Sequence, residues 1–303
     1  MSRLNPLPYT YNIKNSTHLI QSLTNTPILP SYKFASLDIT NTYSNIPTSD
    51  TRQILSNMLH TNTTNPRENL EILTWFDIIM QQNYFMTDNQ IVTQKDGLAM
   101  GAPSSSILSE IFLQHSEYSH IPNLSEKHNI IQYYRYEDNI LILYDSDHTD
   151  GQAILTDFNK IHPNLQFTIE TEHDNSINYL NLSINRTPHN VRIAIHRKPT
   201  FTDTIIPYSS NHPPHKFATV RYLYNRLHTY QLQQDNYDQE KTQFTTSYIT
   251  TPSPSSHTHT PKNEHSPKHR ITQHPRNENG LLSHTLEKKP HASRIYSNIP
   301  TSK

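Results

Sequence analysis

Two apolar segments separated by three polar residues constrain the fold of this chain more than any other feature. Residues 130–136 and 140–144 are dominated by Ile, Leu and Tyr, and only Glu137, Asp138 and Asn139 separate them. A connection this short can join two strands only as an antiparallel hairpin, because a parallel pair needs a crossover of a dozen or more residues. The sequence therefore predicts a buried hairpin with a carboxylate at its bend.

Further helix and strand patterns surround this hairpin. Apolar residues recur every three or four positions in segments that we predict to be helical, near residues 48–59, 67–82, 104–118, 149–161 and 213–229. Short apolar runs predict strands near residues 34–39, 84–87, 91–93, 167–172, 177–184 and 191–196. Strands and helices thus alternate through the middle of the chain, which indicates an α+β domain.

Composition limits how much of the chain can join a packed core. The hydrophobic fraction is 33%, and the chain contains 21 Pro residues. Toward the C-terminus the apolar periodicity gives way to Ser, Thr, His, Pro and Lys, which predicts a low-complexity, disordered tail over residues 236–303. Residues 251–303 hold eight Lys and Arg residues against three acids, so this tail is basic.

The residue types that are missing exclude several classes of protein. Cys is absent, which excludes a disulfide scaffold, thiolate zinc sites and Cys nucleophiles. No run approaches the roughly 18 consecutive apolar residues of a membrane-spanning helix. We therefore expect a soluble intracellular protein without a membrane partner, in the nucleus or the cytoplasm. The His residues of the tail lack metal-ligand spacing, which disfavours the hypothesis that the tail is a His-rich metal-binding module.

Polar residues in three segments point to chemistry. Asp38 lies near the end of the apolar run 34–39, a glycine loop spans residues 94–103, and Asp138 occupies the hairpin bend. Carboxylates at a strand end and at a neighbouring bend can together hold two divalent metal ions about 4 Å apart, as nucleotide transfer requires. Taken singly, Asp38 can merely end a strand and Asp138 can merely fill a turn.

In this order and at these intervals, the three segments resemble the palm motifs of retroelement reverse transcriptases, especially the Penelope-like and related non-LTR group. The resemblance covers residues 31–230. It implies a polymerase palm, in which helices cover one face of an antiparallel sheet. It also implies an RNA-directed DNA polymerase that uses Mg2+, or Mn2+ in its place. The implied partners are an RNA template, a DNA primer and deoxynucleoside triphosphates, and the oligomeric state stays open.

The resemblance also implies roles for individual residues. Asp38 and Asp138 are expected to be catalytic and to bind metal, together with the backbone carbonyl of Ile39 and a weakened ligand at Asn139. The residues expected to contact the nucleotide are Tyr43, Gln94, Gly97, Gly101 and Pro103. Tyr43 is expected to select the deoxyribose, and the glycines to admit close backbone approach. Plain packing is the alternative for Tyr43, and a helix-entry turn is the alternative for the loop.

A basic stretch follows the palm motifs. Residues 186–226 contain seven cations against the single acid Asp203, a balance that suits binding to phosphates without sequence preference. The residues expected to bind nucleic acid are Arg197, Lys198, Lys216, Arg221 and Arg226. For Arg221 and Arg226, a solvated helix face is the alternative.

The motifs divide the chain into four predicted parts. Residues 1–30 form a lead-in, interpreted as the remnant of a fingers region, and residues 31–185 form the palm. Residues 186–235 form a basic thumb-proximal segment, and residues 236–303 form the tail. The tail contains an identical copy of Tyr43–Ser49 at Tyr296–Ser302, for which we have no physical account.

Two departures from the family favour a second hypothesis, an inactive relic that retains only nucleic-acid binding. The family's third motif ends in two adjacent Asp residues, whereas this chain has Asn139 at the second position. Glu137 adds a charge, but we expect it to face away from Asp138 because successive strand residues point to opposite sides. The 30 residues before the palm are also too few for a fingers region.

Overall fold

The computed structural model describes residues 10–62, 65–200, 211 and 216–249. The described helices are α1 (Ser16–Thr24), α2 (Thr42–Asn45), α3 (Thr48–Asn62), α4 (Pro66–Gln81), α5 (Ser105–Lys127), α6 (Gly151–Phe158), α7 (Lys216–Thr229) and α8 (Gln234–Ile249). The described strands are β1 (Tyr32–Ile39), β2 (Tyr84–Thr87), β3 (Gln90–Thr93), β4 (Ile130–Tyr136), β5 (Asn139–Asp145), β6 (Phe167–Thr171), β7 (Ser176–Tyr179), β8 (Leu182–Arg186) and β9 (Val191–Ile195). This order confirms the predicted α+β class.

A four-stranded antiparallel sheet forms the centre of the fold, with strand order β4-β5-β1-β6. Strands β4 and β5 form the predicted hairpin, and Tyr136 pairs with Asn139 across a two-residue turn. Strand β1 lies along the other edge of β5, so the segment of Asp38 is the direct neighbour of the hairpin. The sheet therefore brings two of the three predicted motifs side by side.

Alternation along the strands assigns their side chains to two cores on opposite faces of the sheet. In β5, Ile140 and Ile142 belong to one core, whereas Leu141 and Leu143 belong to the other. Helices α3, α4, α5 and α6 all contribute side chains to the first core, for example Leu55, Phe76, Phe112 and Phe158. The predicted palm, an antiparallel sheet with helices on one face, is confirmed.

The second face carries structure that the sequence interpretation missed. Helix α1 and the three-stranded sheet β7-β8-β9 contribute side chains to the core on this face. Leu19, Ile20 and Leu23 of α1 are fully buried, and the side chain of Asn15 caps the helix by accepting from the backbone N–H of His18. Residues 16–30 are therefore part of the packed domain and not only a lead-in, because three apolar residues at helical spacing bury one face of α1.

Two further boundaries differ from the prediction. The segment 177–184, predicted as one strand, is two strands joined at Leu180 and Asn181, and Leu180 adopts the left-handed conformation at φ 56°. Helix α5, predicted to end at residue 118, continues to Lys127. The first error arises because a bulky residue at positive φ gives no turn signal in the sequence. In the second case, α5 continues through Pro122, a residue type that ordinarily ends a helix.

Helix α8 includes the first residues of the predicted tail. Residues 236–249 were assigned to it, but they form most of α8, where Asn236 donates to the carbonyl of Ile193 at 3.1 Å and Glu240 pairs with Arg197. These polar contacts replace the apolar periodicity that the segment lacks. Residues 250–303, including the repeat Tyr296–Ser302, lie outside the described residues. None of the described helices is both long and apolar enough to cross a membrane.

Candidate active site

The pairing of β1 with β5 brings the two predicted catalytic carboxylates together. Asp38 lies opposite Asn139 in the register, and the backbone N–H of Ile39 donates to the carbonyl oxygen of Asp138 at 3.2 Å. Asp38 is thus on the strand beside the turn that carries Asp138. The two residues were predicted from segments 100 positions apart in the chain, and the sheet makes them neighbours.

The electrostatics of Asp38 reflect this proximity. Partial burial of the carboxyl group raises the pKa of Asp38, and the negative charge of Asp138 raises it further. A second carboxylate raises a pKa in this way only when it lies close by, because like charges disfavour joint ionisation. The pair would accept a cation favourably, since a bound positive charge removes the repulsion.

The atoms around the pair that could bind a metal ion are oxygens, the ligands that a hard cation such as Mg2+ prefers. They comprise the carboxylates of Asp38 and Asp138, the amide of Asn139 and the carbonyl of Ile39, which already accepts a hydrogen bond from the Thr42 hydroxyl at 2.9 Å. Within residues 10–62, 65–200 and 216–249, no group of three His, Asp or Glu residues could hold a metal ion. Two carboxylates still fit Mg2+, which commonly binds through one or two of them plus substrate phosphates.

Asn139 contacts Asp138 directly. Its side-chain Nδ2 donates to Oδ1 of Asp138 at 2.9 Å. This hydrogen bond occupies one of the lone pairs that a metal ion would use. Asn139 therefore lies at the predicted metal position, but in this conformation its donor group faces the carboxylate that it was expected to assist.

The turn itself is strained at Glu137. Its φ of 54° lies in the left-handed region, where a non-glycine residue costs about 1 kcal/mol. The pKa of Tyr43 is raised, mainly by burial and then by the negative charges of the exposed Glu137 and of Asp138. Tyr43, Glu137 and Asp138 also line one cavity of about 50 Å³ between α5 and the turn. The predicted sugar-selecting residue thus lies at the carboxylate site.

The glycine loop packs against α2, the helix that carries Tyr43. A Cβ on Gly97 would lie 2.4 Å from the carbonyl oxygen of Ser44, and its φ is 87°. Glycine is therefore required at position 97 because the backbone of Ser44 leaves no room for a Cβ. Gly101, at φ 85°, faces open space, and its amide region is accessible to a ligand.

The other two loop residues with predicted nucleotide contacts take different positions. Gln94 lies beside Gly97 and donates from Nε2 to the carbonyl of Asp96 at 2.8 Å. Pro103 is exposed just before α5. Asp96 holds the loop by accepting from the backbone N–H groups of Thr48 and Gly97. Burial raises the pKa of Asp96, but these hydrogen bonds and that of the Thr48 hydroxyl outweigh it, so its pKa is lowered.

The predicted basic surface is only partly exposed. Arg197 pairs with the buried Glu240 of α8 through two hydrogen bonds, and Arg226 stacks over the rings of Tyr222 and Tyr230 at 5.6 and 5.3 Å. Lys198 and Arg221 are exposed. The side chain of Lys216, at the start of α7, lies outside the described residues. Of the four residues in this set whose side chains the structure describes, Lys198 and Arg221 are therefore the exposed ones.

Sequence interpretation missed a buried polar network behind the turn. The guanidinium of Arg135, 1% exposed, bonds to Glu110 and Glu117 of α5. A signal was present, because Glu110 and Glu117 lie two helical turns apart on one predicted helix and Arg135 interrupts an apolar strand. Charged residues in such positions are almost never fully buried unless they are paired.

Two of the solved structures with similar architecture are telomerases. One is telomerase from Candida albicans in complex with a fragment of telomeric RNA. The match covers 80% of this chain and 45% of the telomerase chain, with 11% identity and a TM-score of 0.54. The other is apo telomerase from Candida tropicalis, where the match covers 79% of this chain and 46% of the telomerase chain, with 13% identity and a TM-score of 0.51. No protein-family model and no curated sequence matches the chain. The chain has a polymerase palm fold.

These likenesses establish the fold and nothing narrower, because the identities are low. The chain spans less than half the length of the telomerases that it matches.

Proposed function

We propose that this chain is the palm of a reverse transcriptase that extends a DNA primer on an RNA template by metal-dependent nucleotidyl transfer. The observation that carries the proposal is the adjacency of Asp38 and Asp138, set by the β1–β5 register and by the hydrogen bond from Ile39 to Asp138. Two carboxylates on neighbouring backbone segments, next to a glycine loop, suit nucleotide transfer.

Each residue of the site would have a role that follows from its position. Asp38 and Asp138 would hold Mg2+, which when bound would activate the primer hydroxyl and neutralise charge on the departing pyrophosphate. Tyr43, which lines the cavity beside Asp138, would pack under the sugar of the nucleotide and disfavour a 2′-hydroxyl. The open space at Gly101 would admit the template and base pair. Lys198 and Arg221 would contact phosphates.

A primer-extension assay tests the proposal. The full chain is incubated with a primed RNA template, deoxynucleotides and Mg2+, beside Asp38→Asn and the control Asp147→Asn, an exposed Asp away from the site. We expect extension by wild type and control, and a loss of more than about 100-fold in Asp38→Asn, because the variant removes a metal-binding carboxylate. Extension that persists in Asp38→Asn contradicts the proposal.

One observation favours a second candidate, nucleic-acid binding without catalysis. Asn139 replaces a carboxylate and donates to Asp138, so the site has less charge for a metal ion than two adjacent Asp residues would give. This candidate predicts that the chain binds primed RNA with an affinity that falls steeply with salt while no nucleotide is incorporated. Incorporation by the wild-type chain eliminates it.

A further inference from the structure

The turn that carries Asp138 is fixed through three consecutive backbone carbonyls. The carbonyl of Glu137 accepts from Nη1 of Arg135 at 3.1 Å, and that of Asp138 accepts from the backbone N–H of Ile39 at 3.2 Å. The carbonyl of Asn139 accepts from the hydroxyl of Tyr179 at 2.8 Å. Of the three donors, only Arg135 also bonds to helix α5, the helix that follows the glycine loop.

Arg135 is held from several directions. Its Nε donates to Glu117 at 2.6 Å, and its Nη2 donates to Glu117 at 3.1 Å and to Glu110 at 3.0 Å. Nη1 reaches Glu110 at 2.9 Å in addition to the turn. A planar guanidinium with all three nitrogens bonded cannot rotate without breaking several charge-assisted bonds.

The surroundings of the network are equally ordered. Tyr133 donates to Glu117 at 3.0 Å, and Asn12 donates to Glu110 at 2.9 Å. The backbone of Arg135 exchanges hydrogen bonds with Tyr11 and Ile13 at 3.0 and 2.8 Å. Burial lowers the pKa of Arg135, but Glu110 and Glu117 outweigh it and raise the pKa, so the guanidinium stays charged.

The bond to Glu137 has a direct consequence for Asp138. The carbonyl of Glu137 belongs to the peptide group that joins Glu137 to Asp138, so its direction fixes the plane from which the Asp138 side chain departs. Glu137 also has an unfavourable positive φ, which the turn can keep only when surrounding contacts enforce it. Arg135 supplies such a contact from inside the domain.

We propose that Arg135 is a positioning residue that holds the carboxylate of Asp138 for metal binding by tying the hairpin turn to Glu110 and Glu117 of α5. The inference rests on the proposed function only in giving Asp138 a metal ion to bind. The mechanical link from α5 to the turn is independent of that function. A purely structural ion pair would stabilise the domain without affecting the turn or its ligand.

Two variants separate these roles. Arg135→Lys keeps the charge but cannot span Glu110, Glu117 and the turn together. Removing the arginine alone would leave the buried carboxylate of Glu117 and the half-buried carboxylate of Glu110 without a cation. The second variant therefore combines Arg135→Met with Glu110→Gln and Glu117→Gln, a neutral replacement of the kind that often preserves folding. The control is Arg52→Lys, which alters an exposed ion pair with Asp77 between α3 and α4.

Hydrogen exchange measures the link without any metal ion. In both Arg135 variants we expect the peptide covering residues 137–140 to exchange about tenfold faster than in wild type, while a peptide from β8 and β9 keeps its rate. Arg52→Lys should match wild type in both peptides. Unchanged exchange at residues 137–140 in folded Arg135 variants overturns the inference, as does an equal acceleration of both peptides.

Titration with Mn2+ alone, followed by electron paramagnetic resonance, measures the consequence. We expect the dissociation constant to rise about tenfold in both Arg135 variants, the usual effect of losing a group that orients a metal ligand, and to stay unchanged in Arg52→Lys. Wild-type affinity in the Arg135 variants overturns the positioning role. If wild type and Asp38→Asn bind Mn2+ equally, the proposed function fails at this site, whereas the exchange experiment still decides the link.

Discussion

The hydroxyl of Tyr179 donates to the main-chain carbonyl of Asn139 at 2.8 Å, which joins the second sheet to the residue after Asp138. Tyr179 ends β7 and is 2% exposed, so this contact comes from the face of the central sheet opposite helices α3–α6. Arg135 reaches the same turn from the helical side. The turn is therefore held by both cores of the domain.

The first prediction concerns this contact. Tyr179→Phe removes the hydroxyl and keeps the ring, so we expect the free energy of unfolding to fall by about 1 kcal/mol, the net value of one hydrogen bond. Chemical denaturation measures the change. Tyr118→Phe on the exposed surface of α5 is the matched control and should lie within about 0.5 kcal/mol of wild type. Equal stabilities of the two variants would show that the Tyr179 hydroxyl contributes nothing.

Local sequence signals predicted the parts of the site that depend on short-range geometry. The three residues between two apolar runs allowed only a hairpin, with Asp138 at its bend. The short turn also set the pairing of β4 with β5, in which Tyr136 lies opposite Asn139. Asp38 was predicted at the end of a neighbouring strand, and the pairing of β1 with β5 agrees. A two-residue turn leaves little freedom, and so the prediction of this part was correct.

The rest of the site depends on contacts that no local pattern encodes. Arg197 was counted among the phosphate contacts, but it pairs with Glu240, which lies 43 positions away on a helix that the sequence did not predict. Arg135 and Glu117 are 18 positions apart and meet only because α5 packs on β4. Burial and pairing of charged residues follow from the tertiary arrangement, whereas a sequence pattern reports only their presence.

The second prediction compares the two glycines of the loop. Gly97→Ala would place a Cβ 2.4 Å from the carbonyl of Ser44 at a strained φ of 87°, so we expect a loss of about 3 kcal/mol or more. Gly101→Ala has the same backbone strain at φ 85° but open space around it, so we expect a loss of only about 1 kcal/mol. Thermal unfolding of both variants checks the order. The reverse order would mean that the packing of Gly97 on α2 is not tight in solution.

The third prediction concerns pH. Hydrogen bonds from Lys127, Lys160 and His128 hold the pKa of Asp157 well below its usual range. A carboxyl group with a lowered folded pKa contributes stability above the unfolded pKa of about 3.9 and loses it as pH falls through the folded value. Asp157→Asn should therefore reduce the free energy of unfolding near neutral pH by about 1–3 kcal/mol, because the buried His128 loses its charged partner.

Denaturation across the acid range checks this sign. The difference between Asp157→Asn and wild type should persist from about pH 7 to about pH 5 and should shrink below about pH 4. The control Asp147→Asn, at an exposed position, should show a small difference at every pH. A difference for Asp157→Asn that is as large at the acid end as at neutral pH would contradict the assignment.

The last prediction concerns Asn139→Asp. The change removes the hydrogen bond from Nδ2 to Asp138 and places a third carboxylate beside Asp138 and Asp38. Without metal, repulsion between charges about 4 Å apart should lower the stability by about 1–4 kcal/mol near neutral pH, and protonation should relieve it at acid pH. With Mn2+ present the same charges should bind the ion, so the variant should gain more in melting temperature than wild type does. Asn178→Asp, at an exposed position of β7, is the control and should gain no more than wild type. An equal gain in all three proteins would mean that position 139 takes no part in metal binding, whereas the expected order would identify Asn139 as the residue that limits the site.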